Sequence, residues 1–67
     1  MTRTDANQAF TTADAEWSLE LVREFGREAG QARWEPRGRG RPGEKLHTLW
    51  LARDNARRVW EQARVAT

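Results

Sequence analysis

The stretch PRGRGRPGEK, residues 36–45, decides the fold of this chain of 67 residues because it separates two segments with helical patterns. Its three glycines and two prolines interrupt regular structure, and its four basic side chains favour exposure to water. No segment on either side alternates between apolar and polar residues as a half-buried strand does. The stretch therefore predicts a loop between two helices in an all-α protein.

The segment before the loop has the spacing of an amphipathic helix. At about 100° per residue, five apolar residues share one face: Trp17, Leu21, Val22, Phe25 and Ala29. Thr11 or Thr12 is placed to cap the start of this helix, and Gly30 is placed to end it. We predict a first helix over about residues 13–29, preceded by a disordered N-terminal arm at residues 1–10.

The segment after the loop predicts a second, longer helix. Pro42 suits its first turn, where the missing N–H costs nothing. The apolar stripe of this helix consists of Leu46, Leu49, Ala52, Ala56, Val59, Trp60 and Ala63. We expect the helix to span about 43–65, so that residues 11–67 form a single helical domain, a two-helix hairpin. Trp34 is expected to fold back over the helix pair.

Trp50 and Leu51 lie off the apolar stripe, which indicates either scattered surface residues or an interface. Trp50 and Leu51 project about 100° or more from the centre of the stripe, so a partner helix cannot cover them. Together with Trp60 they are candidate anchors for a protein partner or a homodimer, because tryptophan is common at energetically important contacts.

The net charge of +2 is unevenly distributed along the chain. Residues 1–32 contain three basic and six acidic side chains, whereas residues 33–67 contain nine basic and four acidic ones. This asymmetry indicates either a basic surface that faces a polyanion or two halves that attract each other across a dimer interface.

Several classes of protein are disfavoured by the residues that are missing. The chain has no cysteine and one histidine, so we expect no disulfide, metal site or cofactor. Gly38 and Gly43 have the spacing of a phosphate-binding loop, but Glu44 follows instead of lysine. His47 and Glu44 have no accompanying nucleophile, so we do not expect an enzyme. Because neither a membrane span nor a secretory signal is present, we expect a cytoplasmic protein.

The residues Arg39 to Pro42, RGRP, fit the chemistry of the DNA minor groove. Glycine keeps the backbone slim between two arginines, and the narrow groove of A·T-rich DNA has an enhanced negative potential that attracts arginine. Pro42 holds the chain extended. This stretch resembles the core of an AT-hook.

A wider resemblance covers residues 21–52, about half of the chain. LVREFGREAG (21–30), RGRGRP (37–42) and LHTLWLA (46–52) together resemble the C-terminal DNA-binding domain of the actinobacterial H-NS-like xenogeneic silencers. That family has a helix of the type Ile-Arg-Glu-Trp, where this chain has Val22 to Phe25, then a glycine, an Arg-Gly-Arg loop and a proline-led helix. In the family one residue separates Arg-Gly-Arg from the proline, whereas here Arg41 directly precedes Pro42.

The resemblance implies a helical support that inserts Arg-Gly-Arg into the minor groove of A·T-rich DNA. Two registers are open, Arg37-Gly38-Arg39 and Arg39-Gly40-Arg41. The predicted DNA-binding residues are Arg33, Arg37, Gly38, Arg39, Gly40, Arg41, Pro42 and Lys45. The first hypothesis is thus a nucleoid-associated or transcription-regulatory DNA-binding protein. The alternative is a helical protein-interaction module, such as an adaptor, an inhibitor or a small phage or mobile-element protein.

Overall fold

The computed structural model describes residues 2–65 and confirms an all-helical fold within them. The chain forms α1 (Arg3–Phe25), a 3₁₀ turn (Gly26–Glu28), the short α2 (Ala29–Ala32), a second 3₁₀ turn (Pro36–Arg39) and α3 (Lys45–Val65). The long helices α1 and α3 pack against each other as the predicted hairpin. Met1, in the predicted arm, and Ala66 and Thr67, at the end of the predicted domain, lie outside the described residues.

Helix α1 begins ten residues earlier than its sequence pattern predicts. Thr2 is the N-cap, and its Oγ1 accepts a hydrogen bond of 3.1 Å from the backbone N–H of Asp5. Ala6 is completely buried, and the ring of Phe10 stacks on Trp60 with centroids 5.8 Å apart. The prediction of a disordered arm at residues 1–10 is therefore wrong from Arg3 onward, because the C-terminal half of α3 covers this extension.

Gly26, not Gly30, ends α1. Gly26 has φ +56°, a left-handed conformation that favours glycine, and its N–H donates to the carbonyl of Val22. The predicted end at residue 29 is thus four residues late. Gly30 lies inside α2, which turns the chain toward the loop.

The residues Arg41 to Glu44 form a turn that starts α3 later than predicted. The N–H of Glu44 donates to the carbonyl of Arg41 at 3.0 Å, and Gly43 has φ +94°. Pro42 and Gly43 thus occupy the two central positions at which a type II turn favours proline and then glycine. Because Gly43 is not helical, α3 begins at Lys45 rather than at residue 43, and Pro42 precedes the helix instead of opening it.

The contact between α1 and α3 follows alternating steps of four and three residues. On α3 these positions are Leu46, Trp50, Arg53, Arg57 and Trp60, all buried or half-buried. On α1 they are Ala6, Phe10, Ala13, Trp17 and Glu20. Trp50 therefore belongs to the packed face, whereas Ala52 and Val22, which were predicted to be on the buried stripes, are exposed.

The centre of the core lies where the loop meets both helices. It contains Trp17, Leu21, Ala29, Ala32 and Leu46, with Phe25, Leu49 and Trp50 packed against it. Within residues 2–65, no helix has the length and apolar character needed to cross a bilayer.

Candidate nucleic-acid interface

The buried indole of Trp17 anchors the segment between the helices, residues 36–44, which we name the arginine loop. Its Nε1 donates a hydrogen bond of 2.9 Å to the carbonyl of Gly38. A Cβ on Gly38 would lie 2.1 Å from the carbonyl oxygen of Ala32, so only glycine allows the loop to approach α2 this closely. The structure thus places Gly38 in the framework that supports the loop and not on its surface.

Two arginines pack against Trp17 and share one carboxylate. The guanidinium carbons of Arg33 and Arg53 lie 4.8 Å and 5.2 Å from the centroid of the indole ring. Both side chains donate to Asp14 Oδ1, Arg33 at 2.5 Å and Arg53 at 3.0 Å. Arg33 also donates to the hydroxyl of Ser18 at 2.7 Å. Arg33, predicted to contact DNA, is therefore occupied in joining α2 and the loop to α1.

Arg37 is likewise paired inside the protein. It donates from Nε to Glu35 at 2.8 Å and from Nη2 to Glu28 at 3.2 Å, and its guanidinium lies 5.3 Å from the ring centroid of Phe25. The hydrogen bond to Glu35 is the main reason that the pKa of Arg37 is raised above its ordinary value. In the first of the two Arg-Gly-Arg registers, Arg37 is therefore ion-paired and Gly38 is buried.

Arg39 and Arg41 differ from these arginines because neither guanidinium has a carboxylate partner among residues 2–65. The guanidinium of Arg39 lies 5.4 Å from the ring centroid of Trp50, and both arginines are exposed. Within residues 2–65 the polar contacts of Arg41 involve its backbone: its N–H donates to Glu44 Oε1 at 2.6 Å, and its carbonyl accepts from the N–H of Glu44 at 3.0 Å.

The backbone between these two arginines lies against the start of α3. Gly40 has φ +69°, and a Cβ at this position would lie 2.7 Å from the backbone nitrogen of His47. With its proton on Nδ1, the His47 ring donates to the carbonyl of Arg39 at 3.0 Å and stacks on Trp50. His47 thus has a positioning role that its place in the sequence did not reveal.

Lys45, the last predicted DNA-binding cation, faces α1. Its Nζ lies 4.0 Å from Glu20 Oε1, although its side chain remains 68% exposed. Glu20 is buried and also accepts two hydrogen bonds from Arg23, the main reason that the pKa of its carboxyl is lowered.

An open groove of about 360 Å³ extends from the arginine loop along α3. We name it the tryptophan–arginine groove. It is lined by Trp17, Arg33, Trp34, Glu35, Arg39, Trp50, Arg53, Asp54 and Arg57. Trp34, which the sequence predicts to fold back over the helices, is instead 81% exposed at the edge of this groove.

The three predicted protein-interface residues have different surroundings. Trp50 packs against the core, and Trp60 stacks on Phe10, so both make intramolecular contacts. Leu51 is 48% exposed and remains available to a partner.

Comparison of the chain with models of known protein families, with curated proteins and with solved structures found no match. The resemblance to the xenogeneic silencers therefore remains a prediction from the motif residues. Within residues 2–65 no cluster of three or more His, Cys, Asp or Glu side chains is arranged to hold a metal ion.

Proposed function

We propose that this is a small DNA-binding protein of the nucleoid-associated or transcription-regulatory type, which contacts the minor groove of A·T-rich DNA through Arg39 and Arg41. One observation carries the proposal. Of the loop arginines, these two have guanidiniums without a carboxylate partner in the described residues, and they flank a glycine. The cytoplasmic nucleoid is the corresponding location.

The packing of Gly40 determines how such a loop enters the groove. Because one face of Gly40 lies against α3, the two sugar–phosphate walls cannot enclose the backbone while the loop stays in place. The guanidiniums therefore reach into the groove while the backbone stays at its mouth, where the narrow A·T-rich groove still offers its enhanced negative potential. The hydrogen bonds at Gly38 and Arg39 hold the loop in this conformation, which reduces the entropy lost on binding.

The number of unpaired cations sets the expected salt dependence. Arg39 and Arg41, with or without Lys45, provide two or three charges, since Arg33 and Arg37 are held in ion pairs within the protein. Each neutralised phosphate of duplex DNA contributes about −0.9 to the slope of log affinity against log salt. We expect a slope of roughly −2 to −3 for one protein molecule.

The test compares A·T-rich and G·C-rich duplexes of equal length at two salt concentrations, with Arg39→Ala and Arg41→Ala. We expect each substitution to weaken binding to the A·T-rich duplex about tenfold, because hydrogen bonds to charged groups contribute about 1.5 kcal/mol or more. Arg27→Ala is the matched control, since Arg27 is exposed and makes no ion pair within residues 2–65. Equal affinity for the two duplexes, or an Arg27→Ala effect as large as that of Arg41→Ala, would count against the proposal.

The alternative, a helical protein-interaction module, is favoured by exposed apolar side chains on both long helices. Leu19 and Val22 on α1 are 72% and 57% exposed, and Leu51 on α3 is 48% exposed. Because Trp50 and Trp60 are engaged internally, these three residues are the better anchors. Sedimentation of the protein and of a Leu19→Gln, Val22→Gln variant tests self-association through α1: a monomer in both cases removes the support for a dimer through this surface.

A further inference from the structure

We infer that Trp34 and the tryptophan–arginine groove bind one unpaired nucleotide of single-stranded nucleic acid, with the base stacked on Trp34 and the adjacent phosphate at Arg39. This inference rests on the proposed function, because it assigns a second type of nucleic-acid contact to the surface beside the same loop. It adds a site for strand ends, bulges or melted A·T-rich segments to the contact with duplex DNA.

The exposure of Trp34 is the first observation. The other tryptophans are buried or half-buried, whereas Trp34 is 81% exposed. Its backbone is nevertheless fixed, because its N–H donates to Gln31 at 3.1 Å and the N–H of Glu35 donates to Ala32 at 3.0 Å. A large aromatic ring held in water by an ordered backbone forgoes the 150–250 Å² of burial that tryptophan contributes to a core or interface. Such a ring is a prepared stacking platform.

The guanidinium of Arg33 supports the Trp34 ring and leaves most of it free to stack on a base. The guanidinium carbon of Arg33 lies 5.8 Å from the centroid of the Trp34 ring and is itself fixed by Asp14 and Ser18. Arg33 therefore supports the indole, while most of the ring surface remains open to water. Every nucleobase has a π-face, so stacking on such a ring tolerates any sequence.

The ion pairs of the groove leave one guanidinium without a carboxylate partner in the described part of the chain. Arg33 and Arg53 share Asp14, and Arg57 pairs with Asp54 and Glu61. Arg39 is the remaining guanidinium of this lining without a carboxylate partner among residues 2–65. The groove thus offers one unpaired cation beside one exposed aromatic plane, which is the complement of a phosphate attached to a base.

The dimensions and chemistry of the groove favour a nucleotide over a peptide. Its volume of about 360 Å³ is at the lower end of the range for small-molecule sites, roughly 300–1,000 Å³. The lining combines three tryptophans with four arginines, so an apolar side chain could contact the rings but would leave the charge of Arg39 without a partner. An acidic side chain would use the charge of Arg39 but leave Trp34 uncovered.

The test measures binding of a labelled dT12 strand and of an A·T-rich duplex to the full chain and to Trp34→Ala and Trp34→Phe. Removal of a stacking aromatic weakens single-strand binding by roughly 5- to 150-fold, so we expect a loss in this range for Trp34→Ala on dT12. Trp34→Phe keeps a stacking ring and should stay within about threefold of the original protein. Melting curves of both variants should match the original protein, because Trp34 is exposed.

The outcomes separate this inference from the proposed function. Duplex binding that depends on Arg41, without binding of dT12, would overturn the inference and leave the proposed function intact. Unchanged dT12 binding by Trp34→Ala would also overturn it, as would equal competition by an oligoglutamate peptide, which provides charge without a base. Binding of neither nucleic acid would contradict both proposals.

Discussion

The two overlapping Arg-Gly-Arg segments of the loop, residues 37–39 and 39–41, have the same sequence but different physical roles. In the first, Gly38 is buried and its carbonyl accepts a hydrogen bond from Trp17, and Arg37 is paired with two carboxylates. In the second, Gly40 lies on the start of α3 and leaves Arg41 exposed without a carboxylate partner in residues 2–65. In this loop the nearby carboxylates decide whether an arginine is held in ion pairs or left exposed without a partner among residues 2–65.

Glutamate placement explains this difference. Glu35 and Glu28 lie within hydrogen-bonding distance of the Arg37 guanidinium. Glu44, the carboxylate nearest in sequence to Arg41, is used differently, because its Oε1 accepts from the Arg41 backbone N–H. In this turn Glu44 Oε1 contacts the backbone of Arg41 and not its guanidinium.

The strongest test of the comparison is Gly38→Ala. The added methyl group would lie 2.1 Å from the carbonyl oxygen of Ala32. Because this oxygen belongs to the backbone, the clash can be relieved only if the backbone moves. We expect a loss of about 3 kcal/mol in the free energy of unfolding, measured by urea denaturation. Gly30→Ala is the control: it lies in α2 with nothing within 4 Å of its Cβ, and should be neutral or stabilising. Equal effects of the two substitutions would mean that the close approach at Gly38 is not required.

Removal of the tether from Trp17 should have the next largest effect. Trp17→Phe keeps an aromatic ring but leaves the buried carbonyl of Gly38 without its donor. An unsatisfied buried acceptor costs about 1–3 kcal/mol, so we expect a loss of that size in the free energy of unfolding. Trp34→Phe, at an exposed position, serves as the matched control. A cost below about 0.5 kcal/mol for Trp17→Phe would show that the loop is held by other contacts.

The sequence predicted the two helices and the loop between them, but not the residues that join them. The pattern of apolar residues misses the packed face of α3, because Arg53 and Arg57 occupy two of its positions. Ion pairs of both arginines and the contacts of Arg53 with aromatic rings of α1 stabilise this arrangement. Gly26 and Gly30 are both suitable helix ends, and local sequence does not show which one adopts a positive φ. The pairing of Arg33 with Asp14 crosses 19 residues and depends on the tertiary fold.

A third prediction concerns acid stability and the carboxylate that lies on the packed face. A hydrogen bond from Arg23 lowers the pKa of Glu20, and one from Arg57 lowers the pKa of Asp54. In the unfolded chain the pKa values of Glu20 and Asp54 are about 4.3 and 3.9. Because the folded pKa values are lower, the stabilisation by these two carboxylates is complete above the unfolded values and is lost as the pH falls through the folded ones. We expect the melting temperature to be level near neutral pH and to fall below about pH 4.

Glu20→Gln provides the control for this acid transition. The amide cannot titrate, so the variant should have a lower melting temperature at neutral pH and a smaller further decrease in acid. A pH profile identical to that of the original protein would show that Glu20 does not contribute to the transition.

The smallest expected effects on stability distinguish the two ends of the loop directly. Arg37→Ala removes two partly exposed ion pairs and should lower the melting temperature slightly, since pairs of this kind contribute little. Arg41→Ala should leave the melting temperature unchanged, because its guanidinium makes no ion pair within residues 2–65. Binding to A·T-rich duplex should show the reverse order, with the larger loss for Arg41→Ala. If Arg37→Ala weakened binding as much while remaining folded, its ion pairs would have to open on DNA, and both Arg-Gly-Arg segments would then belong to the interface.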